Sequence, residues 1–197
     1  MIEHLLYCAG DNIQHIAGAD SSTSELNTMA NIKGRTSLLN TLRFLRELPG
    51  CEKTRIISMQ PETGVRETYR IDGIYQITRD DYISGKVFND SVSFSFYPID
   101  LHDKNGVEPK QLTEGIVPTI PLRALIPKNS KNFIVAGRCI SSDRLANSAL
   151  RVQASCMGMG QAAGAAAALA SKLKTSPVNV PVSQIKTLIA DKGGIVP

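Results

Sequence analysis

From Val152 to Ala170 the chain carries no charge, and alanine together with Gly158, Gly160 and Gly164 makes up most of the run. A segment of that length and composition predicts a buried helix, and its small side chains let another backbone or a flat ligand come close. Just before it, Phe133, Ile134, Val135 and Ala136 form a continuous apolar run entered from Lys131-Asn132 and left through Gly137. Such a run predicts a short strand covered on both faces. The stretch 132–169 is therefore expected to be strand, polar elbow and helix, with the rest of the chain organised around it. It is too poor in Leu, Ile and Phe to gain from a bilayer, and it holds Gln153, Ser155 and Gln161, so no membrane span is expected.

At 197 residues the chain is long enough to bury a core, and 42% hydrophobic with 20% charged residues is the balance of a soluble globular protein. The 22 basic and 18 acidic residues give a net charge of +4, which carries no nucleic-acid signature. Between Gly115 and Gly160 the local balance differs: Arg123, Lys128, Lys131, Arg138, Arg144 and Arg151 face a single acidic residue, Asp143. That segment would favour an anionic ligand, and a small anion-binding module is one reading of it. Cys8, Cys51, Cys139 and Cys156 lie far apart without C-x-x-C spacing, which predicts neither a zinc site nor a disulfide framework. Reduced thiols in a cytoplasmic protein are expected, and no signal peptide is expected from the opening residues.

Taken in order, Met1–Tyr7 suits a strand. After the polar residues 20–24 a helix is predicted, with Ser22 and Glu25 at capping-box spacing. Leu38, Leu42 and Leu45 recur at helical intervals, Arg35, Arg43, Arg46 and Glu47 fall on the wet side, and Pro49-Gly50 stops the helix. From Arg55 to Asp103 the pattern turns to strands: Ile56, Ile57 and Met59, then a turn at 61–64, then Val65–Thr78 as a half-exposed strand with Gly73 at a bulge or bend. Thr78 with Asp80 and Asp81 caps a short helical turn ending near Gly85. Val92, Phe94 and Phe96 alternate with serines, which predicts a strand with the aromatics on one face. Pro118, Pro121 and Pro127 make 115–131 a stiffened connection. A last helix starts near Ser183, with Val182, Ile185, Leu188 and Ile189 inward and Lys192-Gly193-Gly194 at its end.

Gly158-Met159-Gly160-Gln161-Ala162-Ala163 fits G-x-G-x-x-A literally. That fingerprint needs its first glycine directly after a strand, whereas Gly158 sits inside the predicted helix, so these glycines are read as packing contacts and not as a phosphate loop. The elbow 137–151 instead places unpaired N–H groups and a positive helix end together, which suits a carboxylate, a phosphate or the pyrimidine edge of a flavin. The alternative is that Ser141, Ser142 and Asn147 only cap the helix. Cys139 and Cys156 form either a redox pair or two small apolar residues. His102, between Asp100 and Asp103, is an acid/base candidate or a loop histidine, and Arg66 is an anion ligand or a partner of Glu62 or Glu67.

Several ordered motifs carry a resemblance. Ile120-Pro121-Leu122-Arg123, Asn132 to Ser141, Leu150-Arg151-Val152, Cys156-Met157 and Met159 to Gly164 resemble the C-terminal signature of the FAD-dependent oxidoreductases related to fumarate reductase and succinate dehydrogenase flavoproteins. Gly64 to Thr68, Gly85-Lys86 and Tyr97 to Asp103 are similar to further motifs of that family in the same order, so the resemblance runs from about Gly34 to Lys174.

The resemblance implies an α+β (α/β) chain: a mostly antiparallel substrate-domain sheet with flanking helices in 1–114, and in 115–197 the last strand and C-terminal helix of a Rossmann-like FAD domain. It implies Gly137, Arg138, Ile140, Ser141, Arg151, Val152 and Met157 as flavin-lining residues. Arg66, His102 and Arg144 are the candidates for substrate or catalysis, Arg144 because an arginine in a comparable loop of the fumarate reductases binds substrate carboxylate. The family's G-x-G-x-x-G pyrophosphate loop is missing from this sequence. The chain is therefore expected to be the C-terminal part of a flavoprotein that exchanges hydride with a small-molecule substrate. FAD is expected in the complete protein and poorly bound by this chain alone. The other reading is an inactive fragment or partner subunit, completed by an N-terminal FAD-binding half or by self-association.

Overall fold

A computed structural model describes residues 16, 18–103 and 106–197, with the side chains of 102–109 outside the described set. The expected strand at Met1–Tyr7 lies outside the described residues. The chain packs as two compact units, Met1–Thr68 and Tyr69–Pro197. The change of composition near 114 falls inside the second.

In the first unit, helix α1 spans Ser24–Arg46. Its cap is Thr23, whose Oγ1 accepts from the Leu26 N–H at 3.2 Å. Ser22 stands one residue before the cap, its N–H donating to the Asp20 carboxylate at 2.8 Å. Leu45 is buried and Leu38 and Leu42 half-buried, while Arg35, Arg43, Arg46 and Glu47 are exposed, as the helical spacing requires. The strand predicted at 55–59 does not form: Ile57 is 91% exposed, and no described strand runs beside it. Side chains of α1 hold this segment instead, through Arg46 Nε to the Thr54 carbonyl at 2.8 Å and Arg35 to the Pro61 carbonyl at 2.9 Å.

The second unit is mixed α+β. It begins with an irregular segment where the half-exposed strand 65–78 was expected; only single bridges form, Gly73 to Pro127 and Ile77 to Ser142. Helix α2 (Arg79–Ile83) follows a full capping box, Thr78 Oγ1 accepting from Asp81 N–H while the Asp81 carboxylate accepts from Thr78 N–H. Gly85, at φ +65°, ends it. Strand β1 (Ser91–Phe94) pairs antiparallel with β4 (Thr119–Pro121), and β2 (Ile99–Asp103) pairs antiparallel with β3 (Gly106–Lys110). Helix α3 (Arg144–Leu150), helix α4 (Gln153–Leu173) and helix α5 (Val182–Ala190) complete the described elements, with 3₁₀ turns at Leu122–Leu125 and Pro177–Asn179.

Three expectations are corrected here. The residues 133–136 are not a buried strand: Phe133 is 61% exposed, and the run is tied to its surroundings through Val135 N–H to the Leu125 carbonyl at 2.8 Å rather than by a ladder. A strand exists only where a neighbour takes up its ladder, and no described strand lies alongside. The proline-rich 115–131 is not merely a connection, since Ile120, Leu122, Ala124, Leu125 and Ile126 are all at the centre of the core. In β1 the expected alternation is absent: Ser91, Val92 and Ser93 are all buried and Phe94 half-buried, and just beyond the strand Ser95 is buried while Phe96 is 66% exposed.

The burial of the serines follows from α4. A helix of alanine and glycine leaves little height between itself and its neighbour, and serine fits there where phenylalanine does not. Ser95 Oγ meets Ser155 Oγ of α4 at 2.8 Å and Tyr82 OH at 2.8 Å, and a Cβ on Gly158 would run into Ser93 Oγ. Burial pushes the Tyr82 hydroxyl up to about 12, against the opposing bonds to Ser95 and Tyr97. The packing role read for the glycines therefore holds at Gly158, while a Cβ at Gly160 or Gly164 would meet nothing within 4 Å.

Candidate functional site

The elbow begins at Gly137, whose φ of +95° only glycine adopts without strain and which reverses the chain after 133–136. The Ile140 N–H then closes the turn on the Gly137 carbonyl at 3.1 Å. From Cys139 to Asp143 the backbone runs beside residues 71–77 and is fastened there. Ile71 N–H donates to the Cys139 carbonyl at 2.9 Å, Ile77 N–H to the Ser141 carbonyl at 3.1 Å, and Asp143 N–H to the Ile77 carbonyl at 2.8 Å. Gly73 is required at this wall, because an added Cβ would lie 2.6 Å from Ser141 Cβ. Its N–H donates to Ser141 Oγ at 3.1 Å.

Asp143, not Ser141, Ser142 or Asn147, caps the helix that follows: its Oδ1 accepts from Ala146 N–H at 2.7 Å, and its Oδ2 from Arg79 N–H at 2.6 Å. The expected helix over 152–170 forms as α4, and the expected polar elbow holds a second, shorter helix, α3. α3 ends at Arg151, Val152 turns extended (ψ 155°), and α4 starts afresh at Gln153 without any side-chain cap. The start of α4 is therefore a helix end of 21 residues with its first N–H groups free of intrahelical acceptors and a partial positive charge of about half a unit.

Cys156, in the first turn of α4, donates its thiol to the Arg151 carbonyl at 3.4 Å and lies within electrostatic reach of Arg138 and Cys139. Burial pushes its thiol up, with the Arg138 charge opposing and Cys139 adding to the rise. A raised thiol is a poor nucleophile, and both cysteines are free, so they fit the small apolar role better than a redox pair.

The sequence-derived site residues separate by environment. Gly137, Arg138, Val152 and Met157 have access to solvent, Met157 to 74%. Ile140 and Ser141 are fully buried, Ile140 in the core and Ser141 with its hydroxyl on Gly73, so the elbow offers their backbone and not their side chains. The Arg151 side chain is 8% exposed and donates to the Asp100 carbonyl at 2.9 Å. Ser148 Oγ accepts from the N–H of the same Asp100 at 3.1 Å, so α3 and its C-cap hold both backbone groups of one residue of β2. Arg144 is exposed at the first position of α3; Arg66 is exposed in the first unit; the side chain of His102 lies outside the described residues.

The basic surplus of 115–160 is smaller in space than in sequence. Arg123 forks onto Asp90 at 2.9 and 3.1 Å, Lys128 meets Asp72 at 2.7 Å, and Arg151 is spent on Asp100. Those acidic partners lie upstream of 115, which weakens the reading of this segment as an anion-binding module. Sequence reasoning missed Asn147 as more than a cap. It is wholly buried between α3 and the turn, its Nδ2 donating to the Arg138 carbonyl at 3.1 Å and to Ser142 Oγ at 3.2 Å. A polar residue among Ala146, Ala149 and Leu150 was the available signal.

The profile of a protein family described as FAD dependent oxidoreductase matches residues 9–189. No curated protein and no solved structure matches the chain. Among the described residues no helix is long and apolar enough to cross a membrane.

Proposed function

Because the chain belongs to the FAD dependent oxidoreductase family, we propose that its second unit supplies the flavin-facing elbow of such an enzyme, of the kind related to fumarate reductase and succinate dehydrogenase flavoproteins. In this reading 133–137 and α4 are the C-terminal part of a Rossmann-like FAD domain. The observation that carries it is the convergence of Arg138 and Cys139 on Cys156, which brings the Gly137 turn beside the uncapped start of α4. The residues there fit a flat group with an electron-rich edge. Gly137 has open space where a Cβ would stand, the α4 N–H groups lack a cap, and Arg138 adds a cation.

When bound, the flavin supplies hydride exchange with a small organic substrate. The chain's part is orientation and charge. Gly137 and the backbone of Ile140 and Ser141 form the wall, and Arg138 with the helix end favours negative charge at the ring's edge. Val152 and Met157, open to solvent in the chain, would lie against the ring when it is bound. Arg151 serves the site by fastening β2, the strand in which Asp100 and His102 stand. Arg66, His102 and Arg144 are proposed for the substrate side.

A second reading is favoured by the exposed α4 face at Met157, Gly160 and Gly164 and by the unladdered run 133–136. Both suit a chain completed by a separate pyrophosphate-binding half or by a second copy, and inactive without it. Titrating FAD into the purified chain and recording the visible spectrum separates the two. A bound-flavin band near stoichiometry supports the elbow acting alone. Uptake only with a co-expressed dinucleotide-binding half supports the second reading, and no uptake in either case removes the elbow from flavin binding.

A further inference from the structure

The Arg138 carbonyl can only accept a hydrogen bond, so the Asn147 amide has one orientation: nitrogen toward the turn, Oδ1 away from it. Oδ1 is buried and finds no donor among the described residues. A buried acceptor without a donor destabilises a fold, and a leucine of similar size would fill the same space without that penalty. The neighbouring Ala146, Ala149 and Leu150, each 0% exposed, offer an apolar setting in which leucine would be at home. Packing therefore gives no reason for the amide, whereas its nitrogen has a specific task at the turn.

We infer that Asn147 is a positioning residue of the elbow: by holding the Arg138 carbonyl and the Ser142 hydroxyl it fixes the peptides from Gly137 to Ser142, and with them the Arg138 side chain beside the first turn of α4. The consequence for flavin rests on the function proposed above; the holding of the turn does not. The Ile140 N–H, bonded to the Gly137 carbonyl at 3.1 Å, reports on the turn directly.

The test compares Asn147→Leu and Asn147→Asp in the full chain, with FAD as the probe under whichever condition the parent chain takes it up. Asn147→Leu removes the orphaned acceptor but also takes the donor from the Arg138 carbonyl and Ser142 Oγ, so the two effects on melting temperature oppose each other, while Ile140 amide exchange is expected to rise about ten-fold and FAD affinity to fall about ten-fold. Asn147→Asp keeps the shape but turns an acceptor onto the Arg138 carbonyl, so both melting temperature and Ile140 protection fall. A leucine variant that leaves Ile140 exchange unchanged overturns the inference, whatever its melting temperature. Absence of FAD uptake by the parent chain counts against the flavin reading alone, and Ile140 exchange still decides the role of Asn147.

Discussion

The cluster around Lys86 and the elbow around Asn147 are both polar and both belong to the second unit, yet the chain completes one and not the other. In the first, Lys86 Nζ reaches Asp81 Oδ1 at 2.6 Å and Tyr75 OH at 3.1 Å, Tyr75 OH donates to Asp81 Oδ2 at 2.7 Å, and Asp81 also closes the α2 capping box. Lys86 lies over the Tyr75 and Phe88 rings, and Arg123, forked on Asp90, also lies over Tyr75. In the elbow a buried acceptor lacks a donor, a long helix starts uncapped, and Gly137 faces open space. A closed network specifies a fold; an unfinished one is what a site looks like before its ligand is counted.

The comparison breaks first at Gly73. The back wall of the elbow is as tightly closed as the Lys86 cluster, so Gly73→Ala should lower unfolding free energy by about 2–3 kcal/mol in urea titration, since neither Ser141 Cβ nor the Tyr75 carbonyl can move aside cheaply. A near-neutral result would mean the wall is loose and the turn is not fixed from behind. Asp81→Ala should remove about 1.5 kcal/mol by the same measurement, because it opens the capping box and strips Tyr75 and Lys86 of their acceptor together.

The cluster should also show in acid. Burial raises the Asp81 carboxyl, but hydrogen bonds from Lys86, Tyr75 and Thr78 together outweigh it and hold it at about 2, below the 3.8 of a free aspartate. A folded value below the unfolded one means stability present above pH 3.8 and lost as pH falls toward 2. Melting curves from pH 5 to pH 2 should steepen in that window for the parent and flatten for Asp81→Asn; equal slopes would show that the network is not closed in solution. The smallest effect belongs to the open face of α4. Gly160→Ala should raise stability by about 0.5–1 kcal/mol, as alanine does at an unobstructed helix position. A loss there would place a neighbour against Gly160.

Much of the helical structure was legible in the residues. Thr78 with Asp81, the leucines of α1, and Ile185 with Ile189 in α5 state their elements through local chemistry, and local chemistry is what a sequence carries openly. The elbow's position after Ala136 was legible too, from the Gly137 signal. What failed depended on partners distant in sequence. The run 133–136 has strand composition but no neighbouring ladder. Ser93 of β1 is buried where Gly158 of α4 stands opposite, and hydrophobicity along one strand cannot report that. The break at Arg151–Val152 has no proline or glycine to announce it. Three of the six basic residues of 115–160, Arg123, Lys128 and Arg151, looked unbalanced because their partners Asp90, Asp72 and Asp100 lie earlier in the chain.

Amide exchange with and without saturating FAD, in the chain or in its complex with a dinucleotide-binding half, tests the flavin elbow most directly. The expected result is added protection at Arg138–Ser142 and at Gln153–Met157, with no change from Tyr75 to Asp90 in the cluster the chain already completes. Protection that appears around Lys86 and not at the elbow, or FAD bound with both regions unchanged, would contradict it.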